Sequence, residues 1–347
     1  MADTVPASES IADVPQLNQW LKAQHLQGFW EARYDETPGR RGPGFRPYLW
    51  KWSAMSTALE KAGELIGEHD SFRRNVSYKH PEIGRGTWTT ISMGAQIVKP
   101  GERPAAHRHA MAALRWVIRG DGQSGTVVDG EDLPMEAGDL LTTPARTWHD
   151  HYNHSSAPVI WLDIVDAPLM NFLGVRNTEP SPDGVQPITR APGATAAETG
   201  VVAPPWIRRD ATQPPPYRYS WAPIKQTLES LAHDDADPFD GVLLEYRNPV
   251  THGPTLPSIS CCVQMLRSRE ATRRHAHSAT AVYHVFSGRG RTVIDGESFE
   301  WETGDTFVVP QWSKHHHENL DTEAAYLFSV TDRALLDPFG LYEVEPA

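Results

Sequence analysis

The spacing of hydrophobic and polar positions changes near residue 87. Before that point, VPQLNQWLKAQ (residues 14–24) and MSTALEKAGELI (residues 55–66) carry apolar residues three and four positions apart, which predicts helices. After it, short runs such as TWTTISMGAQIV and VIWLDIV alternate with Gly, Pro and Asp turns, which predicts β-strands. Many short strands at this spacing are typical of sandwiches and barrels, so the fold is predicted to be mainly β.

A proline-rich stretch separates two β-rich blocks. Residues 176–218 hold many prolines and few apolar runs, which indicates a long surface connection, and YSWAPIKQTLESLA (residues 219–232) predicts a further helix. We therefore expect an N-terminal helical arm at 1–86, a first β domain at 87–175, a linker with a helix at 176–240 and a second β domain at 241–347.

The two β-rich blocks repeat each other. HRHAMAALRWVIRGDGQSGTVVDGE, from residue 107, aligns with HAHSATAVYHVFSGRGRTVIDGE, from residue 275, at an offset of 168 residues. GDLLTTPARTWHDHYN, from residue 138, aligns with GDTFVVPQWSKHHHEN, from residue 304, at an offset of 166. A register kept through two segments predicts a duplicated β domain.

The first block contains a candidate metal site. His107 and His109 are two residues apart, so on a strand they point to the same face. The later segment TWHDH supplies His149, with His151 two residues further on. Three imidazoles on one face of a barrel can bind one divalent ion, but imidazole suits zinc, copper, iron and nickel alike. The ligand type therefore leaves the metal open.

Composition and charge limit the partners and the cellular location that we expect for the protein. The formal net charge is -12 and the basic residues are scattered, so we expect no nucleic-acid partner. No run approaches the roughly 18 apolar residues of a membrane span, and MADTVPASES lacks the features of a secretory signal. Cys261 and Cys262 are adjacent, which argues against a disulfide framework. We expect a cytoplasmic protein with no membrane partner.

Both blocks resemble the two motifs of the cupin family. Gly101, the HxH pair, Gly120, then Gly138, Pro144, His149 and Asn153 follow the cupin pattern, and the second block repeats it. The resemblance implies a bicupin, with two double-stranded β-helix (jelly-roll) barrels. Ala113 stands where many cupins carry a glutamate, which implies a site of three neutral histidines. An uncompensated dication favours a chelating anionic substrate, and Arg115 lies on the same face by strand alternation.

The resemblance extends to one enzyme family. PYLWKW, FRRNV, HRHAMAALRWVI, GDLLTTPARTWHDH, PVIWLDIVDAP and DGVLLEYRNPVTHGP together resemble gentisate 1,2-dioxygenase and its salicylate-cleaving relatives, over roughly residues 29–347. It implies an enzyme, often a homotetramer, that uses Fe(II) and O2. The implied reaction opens the ring of a monohydroxylated aromatic acid between the carboxyl-bearing and hydroxyl-bearing carbons.

The resemblance also implies roles for individual residues. It assigns His107, His109 and His149 to the iron. Arg115 and His151 match residues that hold the substrate carboxylate and phenolate. Further residues match positions near the substrate, namely Arg73 or Arg74, Gln96 and Asp163. In gentisate cleavers the aspartate lies near the second ring hydroxyl.

One departure from the family concerns the substrate. Ser92 stands where relatives carry an aromatic residue, so the pocket is predicted to be wider unless Trp88 fills the space. A wider pocket suits a 5-substituted salicylate such as 5-nitrosalicylate, while gentisate remains an equal alternative. Two other classes stay open: a zinc, manganese or nickel cupin isomerase or hydrolase, and a non-enzymatic bicupin that binds a ligand.

The second block has its own histidine set. His275, His277 and His315 form a possible triad, but Tyr283 occupies the position of Arg115. We expect the first domain to be catalytic and the second to be mainly structural, and the sequence leaves metal binding there open.

Overall fold

The computed structural model describes residues 11–31, 44–67, 73–200, 214–233 and 236–347. The chain divides into a small unit that ends at Gly44 and a large unit that begins at Phe45. In the small unit, the Asp13 carboxylate caps a helix by accepting a 2.9 Å hydrogen bond from Gln16 N. Among the described residues, no helix has the length and apolarity needed to cross a membrane.

In chain order, the described helices lie before, between and after the barrel strands. They are α1 (Val14–Ala23), α2 (Trp52–Leu65), α3 (Ala167–Phe172), α4 (Ala194–Thr199), α5 (Trp221–Leu231) and α6 (Arg333–Leu336), with short 3-10 turns at Phe29–Glu31 and Asp337–Phe339. The predicted N-terminal and linker helices are confirmed. Residues 201–213 of the proline-rich connection lie outside the described residues.

Most other described segments are strands. In chain order they are β1 (Tyr48–Trp50), β2 (Asn75–Ser77), β3 (Ser92–Val98), β4 (His107–His109), β5 (Ala113–Arg119), β6 (Asp121–Val128), β7 (Glu131–Glu136), β8 (Leu140–Thr143), β9 (His149–Asn153), β10 (Val159–Val165), β11 (Thr178–Pro180), β12 (Tyr217–Tyr219), β13 (Val242–Tyr246), β14 (Ser260–Leu266), β15 (His275–His277), β16 (Ala281–Ser287), β17 (Arg289–Ile294), β18 (Glu297–Glu302), β19 (Thr306–Val309), β20 (His315–Asn319), β21 (Ala325–Thr331) and β22 (Val344–Pro346).

The strands form two antiparallel barrels with the same topology. The first barrel joins a six-stranded sheet, β12-β8-β5-β10-β3-β2, to a five-stranded sheet, β11-β4-β9-β6-β7. The second barrel joins β1-β19-β16-β21-β14-β13 to β18-β17-β20-β15-β22. The predicted mainly β bicupin fold is confirmed, and each half of the repeat forms one barrel.

The two barrels exchange their outermost strands. Strand β1 precedes the first barrel in the chain but pairs with β19 of the second, and β12 precedes the second barrel but pairs with β8 of the first. Each exchanged strand leads into a helix whose first backbone N–H donates to a barrel aspartate. Trp52 N donates to Asp305 at 2.8 Å, and Trp221 N donates to Asp139 at 2.9 Å.

The sequence carries a signal for this exchange. PYLWKW (residues 47–52) and PYRYSW (residues 216–221) share their Pro-Tyr pair and final tryptophan. Each tryptophan packs on a glycine of the other barrel, where an added Cβ would lie 2.4 Å from Trp52 at Gly304 and 2.5 Å from Trp221 at Gly138. The repeated unit therefore begins before the first barrel strand.

Successive side chains on a strand point to opposite faces, so the sheets form one core between the barrels and another inside each barrel. Residues on one face of each six-stranded sheet pack against the other barrel, and Trp116 stacks on Phe328 across this interface with ring centroids 4.1 Å apart. The opposite faces line the two barrel interiors, where Val117 and Trp161 contribute to the first and Tyr283 to the second. The barrels are thus held by a continuous apolar layer, which leaves each interior to its own chemistry.

Candidate metal centre and substrate cavity

The three predicted metal ligands meet inside the first barrel. His107 and His109 project from β4, and His149 projects from β9 as the direct partner of His107. Their ring centroids lie 5.3 Å (His107–His109), 4.1 Å (His107–His149) and 4.8 Å (His109–His149) apart. One ligand nitrogen from each ring lies within 4.8 Å of the others, a spacing that one divalent ion can bridge.

Backbone carbonyls orient two of the rings. His109 Nδ1 donates to the Met111 carbonyl at 2.7 Å, and His149 Nδ1 donates to the Thr147 carbonyl at 3.1 Å. These bonds place the proton on Nδ1 and leave Nε2 with a free lone pair. His149 Nε2 is buried and has no hydrogen-bond partner among the described residues. A buried acceptor without a partner is costly, and a metal ion would satisfy it.

The triad is neutral near pH 7, as metal binding requires. Burial, then the nearby Arg73 guanidinium, lowers the pKa of His107 to about 2. Burial, then Arg115, holds the pKa of His149 well below its usual range. In the part of the chain that the structure describes, the ligand cluster includes no carboxylate, as expected from Ala113. The residues present fit a divalent transition metal bound by three imidazoles.

The triad opens onto a cavity of about 670 Å³, which is within the usual range for small-molecule sites. The predicted residues His107, His109, Arg73, Ser92 and Asp163 line it. Sequence reasoning missed several polar residues of the same wall, namely Asn75, Lys79, Arg85, Asn171, Arg176 and Thr178. Asn75 lies in the quoted FRRNV segment beside Arg73. The others come from loops, from β11 and from α3, where the sequence offers no signal beyond their polarity.

The cavity distinguishes between the two candidate arginines. Arg73 lines the cavity, donates to the Ala105 carbonyl at 2.9 Å, and lies with Nη2 2.6 Å from His107 Nδ1. Arg74 does not line the cavity. Its buried guanidinium forms an ion pair with Glu102 and donates to the Ile66 carbonyl at 3.0 Å. The structure therefore places Arg73 on the cavity wall and Arg74 in a buried ion pair away from it.

Arg115 and Gln96 lie in the interior of the barrel, and neither is part of the cavity lining. Arg115 is 2% exposed and bonds to the Thr143 hydroxyl, and burial lowers the pKa of Arg115. Gln96 is also buried, and its Nε2 has no hydrogen-bond partner among the described residues. Arg115 supplies positive charge from the interior of the barrel.

His151 lies deeper than its predicted role implied. It is buried against Trp161, with ring centroids 4.8 Å apart, and its Nδ1 lies 2.9 Å from Thr126 Oγ1. Burial, then Arg115, keeps the pKa of His151 well below its usual range. A pKa this low favours the neutral imidazole near pH 7 and does not suit a general base. A neutral His151 serves as a fixed hydrogen-bond partner.

Trp88 does not fill the space beside Ser92. Its ring is fully buried in an aromatic cluster, edge-on to Phe45 at 5.7 Å and to His80 at 5.6 Å. Ser92 lines the cavity, whereas Trp88 does not. The Trp88 ring therefore does not occupy the part of the cavity that Ser92 lines.

The chain is similar to several known proteins. The cupin domain family matches residues 94–165 and 263–331. The chain is 39% identical to 5-aminosalicylate 1,2-dioxygenase of Comamonas sp. over 95% of this chain and 89% of the relative. It is 36% identical to gentisate 1,2-dioxygenase of Haloferax sp. over 94% and 95%. The crystal structure of salicylate 1,2-dioxygenase from Pseudoaminobacter salicylatoxidans superposes with a TM-score of 0.86 at 27% identity, covering 99% of this chain and 98% of that one.

These similarities extend across both barrels. The chain therefore belongs to the family of gentisate and salicylate 1,2-dioxygenases, which are ring-cleaving oxidoreductases built from two cupin barrels.

Proposed function

We propose that the chain is an Fe(II)-dependent dioxygenase that opens an aromatic ortho-hydroxy acid between its carboxyl-bearing and hydroxyl-bearing carbons. The observation that carries the proposal is a cluster of three neutral histidines, two of which line a cavity whose wall also contains Arg73, Arg85 and Arg176. The whole chain carries a net charge of -12, so this concentration of cations is local. It suits an anionic substrate bound beside a metal.

His107, His109 and His149 would hold the iron. When bound, the metal supplies O2 activation and a Lewis-acid contact for the substrate carboxylate and phenolate, chemistry that the side chains lack. The chain's own residues orient the substrate. Arg73 presents a guanidinium at the cavity wall, and a guanidinium can grip a carboxylate through two parallel hydrogen bonds. Arg115 adds a second positive charge from the barrel interior, where burial limits screening by water.

His151 and Gln96 complete this support. His151 is held by Thr126 and remains neutral, so it can accept or donate a hydrogen bond without adding charge. Gln96 Nε2 offers an unused donor in the barrel interior. Preorganised groups of this kind lower the barrier because they need not reorient when charge develops during the reaction.

The carboxylate of Asp163 favours some substituents on the substrate ring over others. Its carboxylate lines the cavity together with His107 and Ser92 and accepts a 3.4 Å hydrogen bond from Asn75 Nδ2. An ionised carboxylate can only accept hydrogen bonds. It would bind a hydroxyl or amino substituent on the ring and repel a nitro group. We therefore favour gentisate or 5-aminosalicylate over 5-nitrosalicylate, with Ser92 leaving room for the substituent.

A substrate panel tests the proposal. Protein loaded anaerobically with Fe(II), or with Zn(II) as control, is mixed with O2 and each of gentisate, 5-aminosalicylate, salicylate, 5-nitrosalicylate and 1-hydroxy-2-naphthoate. We expect one O2 consumed per substrate, loss of the aromatic absorbance with iron only, and the highest kcat/KM for the two substrates with a donor at position 5. Turnover without O2 uptake would indicate a hydrolase or isomerase instead.

We further propose that the enzyme assembles as a homotetramer. The exposed apolar side chains of Phe172, Leu173 and Val175 form a short surface run beside the cavity residues Asn171 and Arg176. Contiguous exposed apolar groups commonly mark contact surfaces between chains. Light scattering coupled to size-exclusion chromatography tests this, with about four chains per particle as the expected result.

A further inference from the structure

The second barrel contains a histidine triad with nearly the same geometry as the first. His275 and His277 lie on β15, and His315 lies on β20 as the direct partner of His275. Their ring centroids are 5.7 Å (His275–His277), 4.3 Å (His275–His315) and 4.9 Å (His277–His315) apart. Each spacing is within 0.4 Å of its counterpart in the first triad.

The orienting hydrogen bonds are repeated as well. His277 Nδ1 donates to the Ala279 carbonyl at 2.7 Å, and His315 Nδ1 donates to the Ser313 carbonyl at 2.9 Å. His315 Nε2 is buried and has no hydrogen-bond partner among the described residues. Rings fixed in this tautomer present unprotonated Nε2 atoms to a common point. Neutral histidines without a ligand need no such convergence, so the arrangement indicates a bound cation.

The cavity beside this triad is smaller than the cavity of the first barrel, and aromatic side chains occupy the corresponding space. It measures about 70 Å³, which admits a few water molecules but not an aromatic acid. Tyr283 occupies the position of Arg115 and stacks on Phe307 with ring centroids 5.0 Å apart. These two rings, with Trp301, belong to the core of the second barrel. Aromatic packing thus replaces the space that the first barrel keeps open.

The charges around the two triads also differ. Asp240 and Glu245 line the second cavity together with the single cation Arg333. The first cavity is lined by Arg73, Lys79, Arg85 and Arg176 against Asp163. An acidic lining favours retention of a dication, whereas a basic lining favours an anionic substrate. The two sites therefore suit different ligands.

We propose that the second barrel binds its own divalent transition-metal ion through His275, His277 and His315, as a closed centre that stabilises the barrel and takes no aromatic substrate. The three ligands come from two strands that are 40 residues apart in sequence, so the ion fixes β15 to β20. A ligand that binds only the folded chain stabilises it by mass action.

Metal stoichiometry and thermal melting test this centre. Full-length wild type and the variants His149→Ala, His315→Ala and His316→Ala are stripped with a chelator, reloaded with Co(II) or Zn(II), dialysed and analysed for metal per chain. We expect two ions in wild type and one in each of the first two variants. His316→Ala is the matched control, because His316 is on the same strand but pairs with Glu318, and it should keep two.

The decisive protein is His149→Ala, which retains only the second triad. We expect it to hold one ion and to melt at least about 3 °C higher when loaded than when stripped. A single ion in wild type and none in His149→Ala would overturn the proposal. This readout is independent of ring cleavage, so it separates the second centre from the proposed function. If His315→Ala does not fold, His277→Gln and the wild-type stoichiometry still decide the question.

Discussion

Asp163 and Arg115 are direct partners across β10 and β5, so their side chains share the inward face of the first barrel. The carboxylate reaches the cavity, while the guanidinium remains buried. Asp163 helps to stabilise the charged form of Arg115 and so opposes the lowering of its pKa by burial. The pair therefore places a carboxylate at the cavity wall beside the buried positive charge of Arg115.

Replacing Asp163 by Asn should change the substrate preference. The substitution removes the charged acceptor, and a hydrogen bond to a charged group contributes about 1.5–3 kcal/mol. We expect the kcat/KM ratio of 5-aminosalicylate to 5-nitrosalicylate to fall at least about tenfold. Steady-state O2 uptake measures both values. Asn75→Ala is the control, because it removes the bond to Asp163 but keeps the carboxylate. An unchanged ratio in Asp163→Asn would exclude this role.

Alanine substitutions of the adjacent residues Arg73 and Arg74 should affect different properties of the enzyme. Arg73→Ala should raise KM for the anionic substrates by about tenfold or more, because a guanidinium is lost from the cavity wall. Arg74→Ala should leave KM unchanged but lower the melting temperature, since it leaves the buried Glu102 carboxylate without its arginine partner. Metal content is measured in parallel, because Arg73 also contacts His107. A raised KM in the Arg74 variant and not in the Arg73 variant would reverse the assignment.

Filling the space at Ser92 should narrow the substrate range. A Ser92→Trp substitution puts a large ring into the cavity that Trp88 leaves open. We expect kcat/KM for 5-substituted salicylates to fall by about 10- to 100-fold, with a much smaller effect on salicylate. Ser92→Ala serves as control because it keeps the space. Equal losses for all substrates in Ser92→Trp would mean that Ser92 does not face the ring substituent.

His284 should contribute to loss of stability in acid. It is fully buried, and burial lowers the pKa of His284 to about 3. The unfolded chain binds a proton near pH 6.5 while the folded chain does not, so stability is lost as the pH falls below that value. Each buried neutral histidine adds about 1.4 kcal/mol per pH unit in that range.

Removing His284 should therefore flatten the pH profile. Between pH 6.5 and 5.0, the free energy of unfolding of His284→Asn should fall about 2 kcal/mol less than that of wild type. Denaturant titrations at several pH values measure this difference. His154→Asn, at an exposed position, controls for loss of a histidine. Parallel profiles for wild type and His284→Asn would show that His284 is not protonated on unfolding.

The duplication was readable from the sequence because strand alternation is a local rule. HxH followed by a second histidine segment predicts three side chains on one face, and the repeat at offsets of 168 and 166 predicts the second triad. The exchange of β1 and β12 was not predicted. Pairing between β1 and β19 joins residues 256 to 260 positions apart, and period and propensity carry no information on such partners.

Sequence alone determined the two barrels and both histidine triads, because these depend on strand period, ligand type and motif spacing. The enzyme family followed from the resemblance of several segments, such as HRHAMAALRWVI, to gentisate 1,2-dioxygenase. Only the tertiary structure decided which of Arg73 and Arg74 reaches the cavity, where Trp88 packs, and that Tyr283 and Phe307 fill the second barrel. Each of these depends on which distant side chains compete for the same volume, and neighbouring residues in the chain do not specify that.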